Sequence, residues 1–385
     1  MRTAREWVVS VSAVLALGAA LVVAALAFSG RFDRVSTKLP PPRKVVLYTS
    51  VDDPIARAVV DRFRLDMQII VELVGDTEAT KTTGLVQRLL AEKDSPRADV
   101  WWSSEPMGTI LLAREGVLAP MESPPYNIET GEAWPEEFKS PDGTWHAFAQ
   151  RARVIGYNSR WVRATTTPMT LRDVVDPEWK GRVGIARPQF GTTRTHMAAL
   201  VAWHGPELFR EWLEALHANE VRLFDGNASI VRAIAMGEID LGLTDTDDVW
   251  SGMRNAWPVA MNYEIVDERV SRTRGGQESP GGALRRPAAA GLPSMGSLTI
   301  PNTVSIVRGG PNPVQARILA EYLLSERTEI MLAQSEQHTM PIRPWISHSR
   351  EFSTYVIPTP AAVDWERVAD AMPEAMRICE EVLGR

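Results

Sequence analysis

The stretch KVVLYTSVDDPIARAVVDRF, residues 44–63, decides the fold of this chain. Its first seven residues form a short apolar run of the kind that builds a buried parallel strand. Asp53 and Pro54 then supply a helix cap and a first-turn proline. Beyond them, apolar side chains recur at helical spacing: Ile55, Val59 and Phe63. The stretch therefore predicts a strand that leads directly into a helix.

The same alternation of strand and helix continues along the chain. Further strands are predicted at residues 69–74, 98–102, 182–186, 221–224, 239–243 and 298–307. Helical patterns separate them, for example over residues 206–219, where Phe209, Trp212 and Leu216 share one face. Repeated strand–helix units predict an α/β fold with right-handed crossovers.

Composition and motifs favour binding over catalysis. The 385 residues carry a net charge of −6, which gives no support for a nucleic-acid binder. The single cysteine, Cys379, excludes an internal disulfide, a cysteine-rich zinc site and an iron–sulfur cluster. The sequence holds no nucleophile elbow, Walker-type loop or HExxH motif, so we expect neither an enzyme nor a resident cofactor.

The N-terminus predicts export. Residues 7–28 carry no charge over 22 positions, and the basic residues Arg2 and Arg5 precede them. A span of this length can cross a bilayer, and the flanking charges favour an exported body. Two interpretations are open for residues 1–28: a signal peptide cleaved near Ala25-Leu26-Ala27, or an uncleaved anchor in the inner membrane. Residues 29–43 are predicted to be a proline-rich spacer.

Six segments, in a shared order, carry a resemblance to a known family. They are residues 46–50, 98–104, 116–120, 145–158, 176–183 and 236–243. Together they resemble the ferric-ion-binding type of periplasmic solute-binding proteins of ABC transporters, which have the type 2 periplasmic binding fold. The resemblance covers roughly residues 44–345.

The resemblance implies a two-lobed receptor with a hinge, each lobe a mixed sheet flanked by helices. Lobe 1 would comprise residues 44–150 and 262–340, lobe 2 residues 151–261, and a C-terminal helical segment, 341–385, would pack across both. Residues 267–294, rich in arginine and glycine, break the pattern and are either a mobile surface loop or a basic flap near the cleft. The implied function is capture of a small ligand by lobe closure and its delivery to a membrane permease, by a monomer in the periplasm.

Hydroxyl side chains mark the expected cleft. Ser50, Ser103, Ser104, Thr192 and Thr193 follow predicted strands and precede predicted helices. Ligands of open α/β sheets collect at such positions, where hydroxyls and free helix amides suit an oxyanion. Ordinary N-capping is the alternative role.

A basic residue in the hinge segment is a further candidate. The resemblance places an arginine of this segment near the cleft, and Arg151 is the preferred anion contact. Arg153 lies two residues away, so the alternation of a strand sends both side chains to one face. A structural salt bridge is the alternative role for Arg151.

The clearest departure from the family concerns the metal ligands. Ferric-binding members carry two adjacent tyrosines where this chain has residues 244–250, and no tyrosine stands there. Asp245, Asp247 and Asp248 occupy the segment instead. Three roles are open: binding of a metal ion as cargo, with Asp247 and Asp248 as ligands; pairing with an ammonium group; or capping of a helix.

Two rival functions follow from these alternatives. A membrane-tethered sensor of the same fold would use closure as a signal instead of delivering cargo. An exported hydrolase would use Asp245, Asp247 or Asp248 with a metal ion. The ligand itself stays open among iron or another metal with an anion, a small oxyanion, and an amine.

Overall fold

The computed structural model describes residues 43–76, 83–163, 167–266, 292–353 and 356–384. The predicted signal peptide or anchor, nearly all of the spacer and most of the 267–294 segment lie outside these ranges. No helix within the described ranges is both long and apolar enough to span a membrane.

Strands and helices alternate as predicted. The strands are β1 Lys44–Thr49, β2 Ile70–Gly75, β3 Val100–Ser103, β4 Leu118–Ala119, β5 His146–Asn158, β6 Val183–Ala186, β7 Arg222–Phe224, β8 Leu241–Asp245, β9 Val259–Tyr263 and β10 Thr299–Val307. The helices are α1 Asp53–Met67, α2 Thr83–Ala91, α3 Pro106–Arg114, α4 Gly191–His204, α5 Pro206–Ala218, α6 Asn227–Met236, α7 Thr246–Arg254, α8 Pro313–Leu323, α9 Glu326–Gln334, α10 Pro344–Ser347 and α11 Trp365–Leu383.

One correction concerns the start of α1. The residue in the N-cap position is Asp52, not Asp53, and its side chain makes no capping hydrogen bond. Asp53 is the first helical residue and pairs with Arg57 at 2.6 Å on the exposed face of the helix. The Asp52 side chain instead lines the cavity described below and accepts a hydrogen bond from Gln337 Nε2.

The long strand β5 joins two half-sheets. The strand order is β2-β1-β3-β10-β5-β8-β6-β7, with β4 beside β10 and β9 beside β5. Through Ala152, β5 pairs antiparallel with β10. From Arg153 onward it pairs with β8 and β9. The first half-sheet (β1–β4, β10 and the start of β5) and the second (β6–β9 and the end of β5) thus share one strand. The lobe boundaries predicted from the sequence stay predictions.

The last helix contacts elements of both half-sheets. The buried face of α11 packs on α4 and α5 of the second half-sheet. On its other side, Arg114 at the end of α3 pairs with Glu366 at 2.6 Å and with Asp370 at 2.9 Å. Cys379 lies in this apolar contact, and burial raises its thiol pKa to about 12, so the thiol stays protonated and unreactive.

A row of glycines lets α6 approach the second half-sheet closely. Gly156, Gly242 and Gly184 lie opposite one another on β5, β8 and β6. A Cβ atom at Gly242 would lie 2.2 Å from Ile230 Cγ2 and 3.2 Å from Ile234 Cδ1, both on α6. The close packing of this helix therefore depends on the missing side chain. It also fixes the position of the N-terminus of α6, which opens at the cavity described below.

We expect Gly242→Ala to lower the free energy of unfolding by about 1–3 kcal/mol, because one added methyl group overpacks a closed contact. Urea unfolding measures the change. Gly75→Ala is the matched control, since Gly75 ends a strand and a Cβ atom there would meet nothing within 4 Å. Equal stability of the two variants would contradict the packing argument.

Candidate ligand-binding cleft

A cavity of about 370 Å³ lies where loops of the two half-sheets face each other. The loops after β1, β3, β6, β7 and β8 reach it, as does β5 at its change of partner. Most of the sequence-predicted residues line it: Ser104, Arg151, Thr192, Thr193, Asp245, Asp247 and Asp248. Carboxyl ends of strands and N-termini of helices converge here, as the α/β pattern predicts.

Ser50 and Ser103 do not line this cavity but support the residue that does. Both are buried, and the Ser50 hydroxyl lies 3.3 Å from the Ser103 hydroxyl and 3.2 Å from that of Ser104. The Ser104 amide also donates to Ser50 Oγ at 3.0 Å. These contacts hold the loops after β1 and β3 together, so Ser104 alone of the three faces the cavity.

Asp245 is the centre of a buried polar network. It accepts hydrogen bonds from Arg153 Nη1 at 2.7 Å, Thr192 Oγ1 at 2.5 Å and Asn227 Nδ2 at 2.9 Å. These contacts join β5, α4 and α6 to the end of β8. Because its oxygens are engaged within the protein, Asp245 acts first as an anchor for the cavity wall.

Arg153 is held from several sides in the same network. Beyond Asp245, it donates to the Leu243 carbonyl at 3.1 Å and to His196 Nδ1 at 3.3 Å. Burial, followed by the nearby guanidinium, lowers the pKa of His196 well below its ordinary value. The imidazole is therefore neutral and can accept this hydrogen bond.

The Arg151 side chain lies between the acidic residues and the loop after β3. Its Nη2 donates to the Ser104 carbonyl at 2.7 Å, and its Nε lies 3.5 Å from Asp245 Oδ2 and 3.9 Å from Asp247 Oδ2. Burial pulls its pKa down, but the carboxylates of Asp247, Asp245 and Asp52 outweigh that effect and raise the pKa above its ordinary value. Arg151 is thus a permanent cation in the floor of the cleft.

The acidic side of the cavity has the chemistry of a hard-cation site. Carboxylate oxygens of Asp245, Asp247 and Asp248 lie within 4.8 Å of one another. Asp52 lines the cavity from the first half-sheet. Carboxylates are the ligands preferred by hard cations and also pair with ammonium groups. Among the described residues, no tyrosine, histidine or cysteine lines this cavity.

Several lining residues were not among the sequence candidates. They are Asp52, Arg187, Asp225, Asn227, Ser229, Gln337 and Thr339. Positions 225–229 could have been predicted, because they follow β7 and open a helix, as Thr192 and Thr193 do after β6. Gln337 and Thr339 had none, since they belong to an irregular segment after α9 that only the folded chain brings here.

Comparison with known proteins agrees with this architecture. The bacterial extracellular solute-binding protein family matches residues 110–273. Iron uptake protein A1 of Synechocystis sp. is 25% identical over 340 residues, or 88% of this chain and 87% of that protein. The Fe(3+)-binding periplasmic protein of Serratia marcescens is 26% identical over 201 residues, or 52% of this chain and 56% of that protein. Iron-bound HitA from Pseudomonas aeruginosa superposes with a TM-score of 0.69 at 22% identity, covering 89% of this chain and 99% of HitA.

The resemblance predicted from the sequence is confirmed. The chain has the two-lobed, mixed α/β fold of the solute-binding proteins that it resembles. The similar proteins bind solutes and are not enzymes, in agreement with the prediction that this chain performs no chemistry. Among the described lining residues the cleft has five aspartates and no tyrosine.

Proposed function

We propose that this chain is the extracytoplasmic receptor of an ABC importer, working as a monomer in the periplasm. It captures a small cation-bearing ligand between its lobes and delivers it to a membrane permease. Ligand binding favours the closed state, by as much as the ligand's affinity for the closed state exceeds its affinity for the open state. The names of the relatives, an iron uptake protein and an Fe(3+)-binding protein, make Fe³⁺ with an accompanying anion the first cargo to test.

The observation that supports a cationic ligand is the excess of carboxylates in the cleft. Five aspartates line the cavity: Asp52, Asp225, Asp245, Asp247 and Asp248. Three arginines oppose them: Arg151 and Arg187 in the lining, and Arg153 behind it, which pairs with Asp245. Like charges held this close repel in a partly buried site, and a cation that binds among them relieves the repulsion. Asp52 comes from one lobe and Asp247 and Asp248 from the other, so the same cation would draw the lobes together.

Thermal unfolding of the full chain, stripped of ligand, tests the proposal. A ligand at 100 times its dissociation constant should add about 2.7 kcal/mol to the free energy of unfolding. We expect Fe³⁺ with phosphate, or an amine, to raise the melting temperature of the parent chain. The double variant Asp247→Asn/Asp248→Asn should lose that shift.

Asp61→Asn is the matched control, since Asp61 lies on the exposed face of α1 and should leave the shift unchanged. A panel of metals, oxyanions and amines that leaves the parent chain unstabilised would argue against a receptor. Turnover of a substrate that depends on Asp247 and Asp248 would support the hydrolase, which no comparison favours.

A further inference from the structure

The helices that open at the cleft fall into two electrostatic classes. Four of them begin there: α1, α4, α6 and α7. The first turn of α7 contains Asp247 and Asp248, and α1 follows Asp52. The first turns of α4 and α6 contain no acidic residue, and no side chain caps either helix. One part of the lining, the acidic wall, contains Asp52, Asp247 and Asp248. The adjoining part, the helix wall, presents the N-termini of α4 and α6, and Asp245 lies between the two parts.

The bare N-termini form one anion-binding surface. Residues Gly191–Thr193 of α4 and 227–229 of α6 line the same cavity. The first-turn amides of a helix lack partners within the helix and carry about half a positive charge together. Two such termini that face one space favour an oxyanion there.

Thr193 provides an independent indication of a ligand at this wall. Its side chain is buried, with 1% of its surface exposed, and it lines the cavity. Within the described part of the chain, its hydroxyl has no hydrogen-bond partner. Buried hydroxyls in folded proteins are almost always paired, and an unmade bond is costly. An oxyanion at the N-terminus of α4 would complete this contact.

The carboxylates near the N-termini of α4 and α6 do not take the place of a bound anion. Asp245 is the nearest carboxylate, but it is committed to Arg153, Thr192 and Asn227. Asp225 pairs with Arg187 at 3.4 Å and is almost fully exposed at the rim, where solvent screens it. Among the described residues, no N-cap side chain bonds the first-turn amides of α4 or α6, and the Thr193 hydroxyl has no hydrogen-bond partner.

We propose that the ligand of this cleft is a small organic zwitterion. Its oxyanion would bind the first turns of α4 and α6 with Thr193, and its ammonium group would bind Asp247, Asp248 and Asp52. The proposal rests on the receptor function proposed above and specifies its ligand. A cavity of about 370 Å³ is within the range of pockets for small organic molecules.

Two physical reasons favour one molecule over a metal ion with a separate anion. One zwitterion loses translational freedom once on binding, whereas two ions lose it twice. The guanidinium of Arg151 already lies 3.5 Å from Asp245 and 3.9 Å from Asp247, and it repels a trivalent ion more strongly than an ammonium group. The described lining also lacks the phenolate that would compensate this repulsion.

Calorimetric titration of the full chain with a matched set of probes tests the proposal. The set is 3-aminopropylphosphonate, propylphosphonate, propylamine, and Fe³⁺ with phosphate. We expect the aminophosphonate to bind at least a hundredfold more tightly than either probe with a single charge, because it alone engages both walls. Fe³⁺ with phosphate should bind more weakly than the aminophosphonate.

Two variants separate the two ends of the ligand. Thr193→Val keeps the shape and removes the hydroxyl, so it should weaken both phosphonates about tenfold or more and leave propylamine unchanged. Asp247→Asn/Asp248→Asn should weaken the aminophosphonate and propylamine and spare propylphosphonate. Thr170→Val and Asp61→Asn, both outside the cavity lining, are the controls and should change neither.

The possible failures are distinguishable. Tight binding of Fe³⁺ with phosphate, lost in both variants, together with no advantage for the aminophosphonate would overturn the zwitterion and keep the receptor. Equal affinity for the aminophosphonate and for one of the singly charged probes would also overturn it, because one wall would then contribute nothing to the affinity. No binding by any probe, metal included, would overturn the receptor proposal itself.

Discussion

Arg153→Met is expected to lower the free energy of unfolding by about 3–5 kcal/mol, because it removes the principal partner of a buried carboxylate. Arg153 is 2% exposed and Asp245 4% exposed, and their closest atoms lie 2.7 Å apart. The substitution also deprives the Leu243 carbonyl of its side-chain donor. Arg151, 3.5 Å away, only partly replaces the lost charge, since it is committed to the Ser104 carbonyl.

Urea unfolding of single and double variants measures this coupling. The double variant Arg153→Met/Asp245→Leu should recover much of the loss, because it removes both charges instead of stranding one. It should still fail to bind ligand, since the wall formed by Thr192 and Asn227 loses its anchor. Arg57→Met is the surface control, and its exposed pair with Asp53 should contribute nothing measurable. A loss below about 1 kcal/mol for Arg153→Met would contradict the role of this buried pair as the anchor of the cavity wall.

The fold could be predicted from local patterns because the deciding signals are local. Buried apolar runs such as residues 44–49 become strands, and their carboxyl ends place polar loops at one edge of the sheet. The sharing of β5 by two half-sheets could not be predicted in this way. Its 13 residues read as one strand, and nothing in them reveals that the pairing partner changes after Ala152.

The cleft was predicted by position, but the roles of its residues depend on contacts between distant segments. The sequence presents Asp245, Asp247 and Asp248 as three equivalent acids. Only the folded chain shows that Asp245 is engaged by Arg153, which lies 92 positions earlier, while Asp247 and Asp248 stay in the first turn of α7. Likewise, Ser50 and Ser103 look like Ser104 in sequence yet lie behind it.

Two features of the cleft were predicted only in part. One is the pair of helix N-termini of α4 and α6, and the other is the acidic cluster beside Arg151. This chain has both, and each was visible in part from the sequence as hydroxyls before helices and as acids after β8. Their arrangement on either side of Asp245 is a property of the tertiary structure alone.

A second buried ion pair stabilises a bulge in β5, the strand that contains Arg151. Glu329 of α9 is fully buried and accepts from Arg343 Nη1 at 2.9 Å, from the Ile342 amide at 3.2 Å and from the Ala149 amide at 3.1 Å. Ala149 has φ of +41° and lies where the register between β5 and β10 shifts. Its unpaired amide is thus satisfied by Glu329, which makes this carboxylate the support of a β-bulge.

Glu329→Ala is therefore expected to lower the free energy of unfolding by about 3–5 kcal/mol, since it strands the Arg343 guanidinium and the Ala149 amide in the core. Glu329→Gln should cost less, because it keeps the shape of the side chain and part of its hydrogen bonding. Denaturant unfolding measures both. Glu321→Ala is the control: its exposed pair with Arg317 on α8 should contribute less than about 0.5 kcal/mol.

The bulge links this stability effect to ligand binding. Ala149 precedes Arg151 by two residues on the same strand, so a bulge that relaxes turns the Arg151 guanidinium away from the Ser104 carbonyl and the acidic wall. We expect Glu329→Gln, which should still fold, to weaken ligand binding although Glu329 is absent from the cavity lining. Titration of that variant under conditions where it is fully folded separates the two effects. Unchanged affinity would mean that Arg151 is held in place by its own contacts, and that the bulge serves stability alone.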